Sequence, residues 1–301
     1  MSFQNIKEDC FYYHSSVNIG YVKEGTTGLL IDAGLDRSSI KKVLRELEIR
    51  ELPLTHLFIT HAHADHYGGA RHIQETYSVH TMAPPFEEAI LRNPLLEPLY
   101  LFGGNDPVEE LDNKFLLGEA VHIDEVVEEG KVSIGSMEAE VFVLPGHSYQ
   151  QAALLINGIL YAGDSYFSNE TLTKHKIPYI TDATKTVNSL KRLLSIDHEG
   201  AVPGHGIFES DPTETINQNI TYHTSLMDWL EVYLSNYSEG VSHEQVVSDM
   251  CQAYNVQASG LGHWLLYRTA VTAYLLGLKK DQHVYDKIAD FRWTFFPSPK
   301  N

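Results

Sequence analysis

Residues 56–66 read His-Leu-Phe-Ile-Thr-His-Ala-His-Ala-Asp-His. The apolar run His56 to Ile59 passes straight into a stretch that holds His61, His63, Asp65 and His66. A short β-strand ending in a tight loop can turn alternate side chains toward one point. Imidazoles with a carboxylate suit zinc, iron or manganese, and the missing thiolates argue against a purely structural zinc. The bland alternative is a histidine-rich surface loop.

Three further positions repeat one design. Leu144-Pro145-Gly146-His147, Tyr161-Ala162-Gly163-Asp164 and Val202-Pro203-Gly204-His205 each place a ligand-type side chain after a strand-like run and a glycine. A lone histidine is more often structural, so each is weak by itself. Together they point to one centre, with glycine letting backbone approach it without a Cβ clash.

Around these positions the chain alternates strand-like and helical runs, which is the α/β pattern. Val17–Val22 and Gly28–Asp32 read as a hairpin, and Ser38 caps a helix to about Glu48 with Ile40, Val43, Leu44 and Leu47 at helical spacing. Gly68–Thr76 reads as a helix and Val79–Met82 as a strand. Strand signals resume at Lys131–Ile134, Ala139–Leu144, Ala153–Ile156 and Ile159–Ala162, followed by a helix from about Thr184 to Ile196. Residues 84–128 break the rhythm with Pro84, Pro85, Pro94, Pro98, Pro107 and Gly103-Gly104, and read as an inserted, lid-like segment. From Thr213 to Leu278 the pattern is helical, interrupted near Ser238–Ser242 and Val256–Gly260.

In order, Leu30-Ile31-Asp32-Ala33-Gly34, the His61-x-His63-x-Asp65-His66 stretch, His147, Asp164 and His205 resemble the metallo-β-lactamase superfamily over residues 15–210. The resemblance implies an α/β fold: a four-layered αββα sandwich, residues 1–210, with a C-terminal helical extension, residues 211–301. It implies two divalent metal ions, zinc first, with iron or manganese as alternatives. His61, His63 and His147 would hold one metal, and Asp65, His66 and His205 the other. Asp164 would bridge them, and Asp32 would support the site from behind. The implied chemistry is hydrolysis. Metals about 3.5–4 Å apart share a hydroxide of lowered pKa, which Asp65 orients and from which it accepts a proton.

What is missing narrows the substrate. The nucleic-acid-processing branches carry a large insertion late in the fold, for which the 165–204 stretch is too short. A net charge of −18 also disfavours phosphate backbones and anionic membranes, and Arg268 is the only Lys or Arg between Thr213 and Leu278. The flavodiiron branch has an acidic residue where this chain has His63. True β-lactamases lack Asp65 and are exported, whereas the N-terminus here has no signal-peptide core. With two distant cysteines, Cys10 and Cys251, a cytoplasmic protein is expected.

The remaining branch resembles glyoxalase II and the lactonases, which cleave thioesters and lactones. Ser148-Tyr149-Gln150-Gln151 departs from the Thr-x-Gly-His continuation of glyoxalase II, which disfavours glutathione thioesters. Tyr166 stands one position short of the lactonase tyrosine and is a candidate substrate contact. Tyr100 and Phe102 are candidates to line an apolar pocket. A small-molecule substrate is expected, and a homodimer is left open. The other eleven histidines, His56, His72 and His263 among them, have no ligand-like context. An oxidoreductase remains as the second reading: a single-iron enzyme resembling the persulfide dioxygenases, with iron held by His61, His147 and Asp164. A third, non-catalytic reading has the metals only holding the fold.

Overall fold

Two strands that the pattern does not announce open the chain in the computed structural model, which describes residues 2–299. β1 (Ser2–Lys7) is a half-exposed edge strand, and β2 (Cys10–His14) is an aromatic run without alternation. They continue antiparallel into β3 (Ile19–Glu24) and β4 (Thr27–Ile31), which are joined by a tight turn with Gly25 at a φ of 56°. β5 (His56–Phe58), β6 (His80–Ala83) and β7 (Glu125–Val126) complete a seven-stranded sheet in chain order. The last pairings, β4 to β7, are parallel.

The crossovers are helical. α1 (Arg37–Ile49) buries Ile40, Val43, Leu44 and Leu47, as its spacing predicts. Its cap is Asp36 rather than Ser38, because the Asp36 carboxylate accepts from the Ser39 N–H at 2.9 Å. The helix expected over 68–76 is α3 (Ala70–Thr76), and it is preceded by a one-turn helix that was not expected, α2 (Ala64–Tyr67), which carries Asp65 and His66. The 84–128 segment contains α4 (Glu87–Arg92), α5 (Leu96–Leu101), a 3-10 turn at Glu109–Leu111 and finally β7.

β8 (Gly130–Ile134), β9 (Met137–Val143), β10 (Ala152–Ile156) and β11 (Ile159–Gly163) form an antiparallel meander. β12 (Gly200–Pro203) adds to β11 in parallel. Before it come α6 (Asn169–His175) and α7 (Ala183–Leu193). Val22, Leu29, Phe58 and Met82 of the first sheet pack against Val141, Leu154, Ile156 and Tyr161 of the second. α1 and α3 cover the outer face of the first sheet. Leu190 and Leu193 of α7 and Ile216 of α8 (Thr213–Ser235) cover that of the second. These are the four layers of an αββα sandwich.

The C-terminal segment is not helical throughout. After β13 (Val241–Ser242), α9 (His243–Ala253) and α10 (Leu261–Lys280), β14 (Val284–Ala289) and β15 (Arg292–Pro297) form a hairpin, giving a three-stranded sheet with β13. The turn is Asp290-Phe291, both at positive φ. A two-residue turn of this kind is usually marked by Asn-Gly or Asp-Gly, so here it is hidden from the sequence. No described helix is long and apolar enough to cross a membrane.

Candidate metal centre

The seven ligand candidates meet at one edge of the two sheets. Three sets of ligand atoms each lie within 4.8 Å of one another: His61, His63 and His147; His61, His66 and Asp164; Asp65, His66 and His205. The Asp164 carboxylate joins the two sides, 3.3 Å from His147 Nε2, 3.4 Å from His66 Nε2 and 3.4 Å from His205 Nε2. His147 Nε2 and His63 Nδ1 approach to 2.9 Å.

The remote nitrogens of four of the five imidazoles are fixed from behind; that of His63, Nε2, is buried with no hydrogen-bond partner among the described residues. His147 Nδ1 bonds the Tyr179 carbonyl at 3.0 Å, and His205 Nδ1 the Ser16 carbonyl at 2.7 Å. His66 Nδ1 bonds Asp32 Oδ2 at 2.8 Å. Asp32 also accepts from the Thr60 N–H at 2.8 Å and the Thr60 hydroxyl at 3.0 Å, which itself touches His61 Nδ1. Such partners set the tautomer and aim the other nitrogen at a cation. The atoms left facing inward fit that role. His61 Nε2, His66 Nε2 and Asp164 Oδ1 are buried without a hydrogen-bond partner among the described residues. Buried polar atoms are rarely left so unless an ion or water completes them.

The electrostatics are lopsided. Burial, reinforced by neighbouring imidazoles, holds His61 well below its ordinary pKa and His63 at about 3. Burial also lowers His147 against the pull of Asp164. On the other side burial opposes charge, but the carboxylates outweigh it. Asp164 and Asp32 hold His66 well above its ordinary value, and Asp164 and Asp65 hold His205 at about 10. Asp65 and Asp164 are correspondingly held down despite burial. One half therefore offers neutral imidazoles, and the other an ion-paired cluster whose protons must leave before a cation binds. Affinity in the Asp65, His66 and His205 half should rise steeply with pH. Dialysis against limiting zinc at pH 5.5 is expected to empty that half first, and at pH 8 to leave both filled, as read by metal content per chain.

The glycines do less uniform work than the repeated design suggests. A Cβ on Gly204 would lie 2.0 Å from Asp164 Oδ1, but one on Gly146 would strike Thr186 of α7 and one on Gly163 would strike Thr60. Only Gly204 leaves room for the centre itself; the other two seat their loops on neighbouring elements.

The substrate-contact candidates divide. Tyr166 is 1% exposed and lies in the core between the second sheet and its outer helices. Its hydroxyl is buried without a hydrogen-bond partner among the described residues, and burial, with Glu209 nearby, pushes the phenol well above its ordinary pKa. Proximity to Asp164 in sequence misleads here, because the turn after β11 carries Tyr166 into that core. Tyr166→Phe is expected to leave kcat/KM within about twofold, the range of an ordinary neutral substitution, as steady-state kinetics would show. Phe102 packs with Leu101, Leu111, Leu116 and Leu265 and ties the insertion to α10. Tyr100 is at the centre's border: its ring is open to solvent while its hydroxyl end is crowded by Tyr179, Glu97 and Glu87.

Sequence reasoning misses Glu87. This buried carboxylate accepts from the Ala62 N–H, the Ser148 hydroxyl and the Gln150 N–H, each at 2.8 Å. It thereby clamps the loop of His61 and His63 to the loop of His147. Glu87→Ala strands these donors and should cost about 3 kcal/mol of stability; urea unfolding measures it. Gln151 is a second such residue, accepting from the Asp164 N–H at 3.0 Å and donating to Ser165 at 3.1 Å.

A sandwich with a histidine–aspartate cluster at its sheet edge defines a class of metal-binding proteins. Residues 13–205 match the model of the metallo-beta-lactamase superfamily, and the chain belongs to that family. An acyl-coenzyme A thioesterase, MBLAC2, from Gallus gallus is 27% identical over 66% of this chain and 76% of its own length. A hydroxyacylglutathione hydrolase from Shewanella loihica is 29% identical over 44% of this chain and 42% of its own. Among solved structures, a beta-lactamase domain protein from Burkholderia ambifaria superposes with a TM-score of 0.75 at 17% identity, covering 98% of this chain and 95% of that one. That likeness extends the shared fold through the C-terminal segment.

Proposed function

We propose that the chain is a dinuclear metal-dependent hydrolase that cleaves a small ester, thioester or lactone, with a thioester first. The observation that carries this reading is the convergence of all seven side chains around inward-facing, unpartnered atoms. Two relatives whose names describe thioester cleavage support the bond type. Two divalent cations, zinc in the first place, would supply Lewis acidity for a water nucleophile and for the scissile carbonyl.

The chain's residues do the rest. His61, His63 and His147 bind on one side, Asp65, His66 and His205 on the other, and Asp164 spans both. Asp65 is 33% exposed at its side chain and is held ionised by His66 and His205, so one oxygen can accept a hydrogen bond from the attacking water and orient it. Asp32 and Thr60 fix the direction of His66 and His61. The 84–128 segment, through Tyr100, walls the site.

Elemental analysis of the purified protein followed by a screen of thioester, lactone and phosphodiester substrates tests this. Two metals per chain and thioester or lactone turnover that stops on chelation are expected. One iron per chain with oxygen consumption on a persulfide would overturn it in favour of the dioxygenase reading.

A further inference from the structure

Glu97 on α5 is 5% exposed, and its Oε2 has no hydrogen-bond partner among the described residues. No ion pair of the described residues includes it. Its ionisable neighbours are the Asp65 and Glu87 carboxylates and the phenols of Tyr67, Tyr100 and Tyr179. Tyr179 anchors this group to the centre: its ring lies 5.4 Å from that of His63 and 5.9 Å from that of His147. Tyr67 already accepts from the Gly118 N–H at 3.0 Å. A carboxyl that makes no bond inside a protein costs free energy that a leucine there would not. Glu97 therefore does not hold the insertion together by an ion pair among the described residues, and its Oε2 contributes no hydrogen bond to it.

We propose that Glu97, with the phenols of Tyr100 and Tyr179, forms a hydrogen-bonding subsite for an uncharged oxygen substituent, a hydroxyl or an amide carbonyl, on the acyl group. It thereby determines which acyl group the centre accepts. Burial, with the nearby Asp65 and Glu87 carboxylates, pushes the Glu97 carboxyl well above its usual range, which favours its uncharged O–H form. The phenols add O–H groups of their own, each able to donate or accept. Such a wall satisfies an oxygen acceptor, while the two neighbouring carboxylates repel a second carboxylate on the acyl chain. The inference rests on the hydrolase reading above for the identity of the acyl group.

The test pairs binding with stability. Isothermal titration of zinc-loaded protein with 2-hydroxybutyrate, 3-hydroxybutyrate and butyrate should show one hydroxy acid bound about tenfold more tightly than butyrate, the scale of one net hydrogen bond. Glu97→Leu should erase that difference while its thermal midpoint equals or exceeds that of wild type. Glu97→Gln, which keeps the hydrogen-bonding capacity, should retain most of the preference. A wild type that binds all three acids alike overturns the subsite, as does a Glu97→Leu variant that keeps the preference or unfolds at a lower temperature. Failure of the wild type to cleave any thioester or lactone would sink the hydrolase reading instead, and the acid-binding and stability comparison would still decide the subsite.

Discussion

Asp164→Ala should lower kcat/KM by a thousandfold or more and leave the protein folded with reduced metal content. The carboxylate is within 3.5 Å of three imidazoles, His66, His147 and His205, drawn from both halves of the centre. Its loss would remove the proposed shared ligand, and it removes the negative charge that balances His66 and His205. Lewis-acid stabilisation at such centres is worth several kcal/mol, and each 1.36 kcal/mol is tenfold in rate, so about 10³ follows. The fold should survive because the Asp164 N–H still bonds Gln151 at 3.0 Å and β11 remains paired on both sides. Circular dichroism with elemental analysis separates the outcomes. A variant that retains full activity, or that loses activity only because it is unfolded, would refute the role given to Asp164.

Most of the candidate ligands were visible in the sequence because they follow strand ends, where an abrupt change from apolar to polar residues marks them, and Asp65 and His66, on α2, stand out by their spacing from His61 and His63. Glu87 and Glu97 carry no such mark. An acidic residue in a short helix reads as a solvated face, and the partners that bury Glu87 lie 25 to 63 residues away. Nothing local announces them. Tyr166 shows the converse: adjacency to a ligand fixes position along the chain but not the side of the sheet a side chain occupies. The same limit explains the C-terminal hairpin, whose strands are short and whose turn, Asp290-Phe291, lacks the usual glycine. The α/β character was readable from the alternation of strand and helix periods, whereas the αββα layering came from the family resemblance of the ligand motifs. The close packing of the insertion against α10 was not readable, since it arises from apolar contacts between segments far apart in sequence.

Gly204→Ala should disable the centre through a single methyl group. The added carbon would stand 2.0 Å from Asp164 Oδ1, 2.9 Å from His66 Cε1 and 3.1 Å from the Gly163 carbonyl carbon. Gly204 cannot retreat easily, because its N–H bonds the Gly163 carbonyl at 2.6 Å and its carbonyl accepts from the Asn18 N–H at 2.8 Å. Asn18 further pins this loop through Pro203 and Gly206, with bonds of 2.8 and 2.9 Å. The carboxylate must therefore swing away from His66. A displacement of about 1 Å in such a site costs on the order of 10²-fold in rate. The expected result is a folded protein with at least hundredfold lower kcat/KM and fewer bound metals. The control is Gly103→Ala: that glycine has no heavy atom within 4 Å of the added carbon, although its φ of 75° imposes modest backbone strain. It should keep its metals and its activity. If Gly204→Ala also keeps both, the close approach of the β12 loop to Asp164 does not shape the centre, and the geometry assigned to that edge of the sheets is wrong.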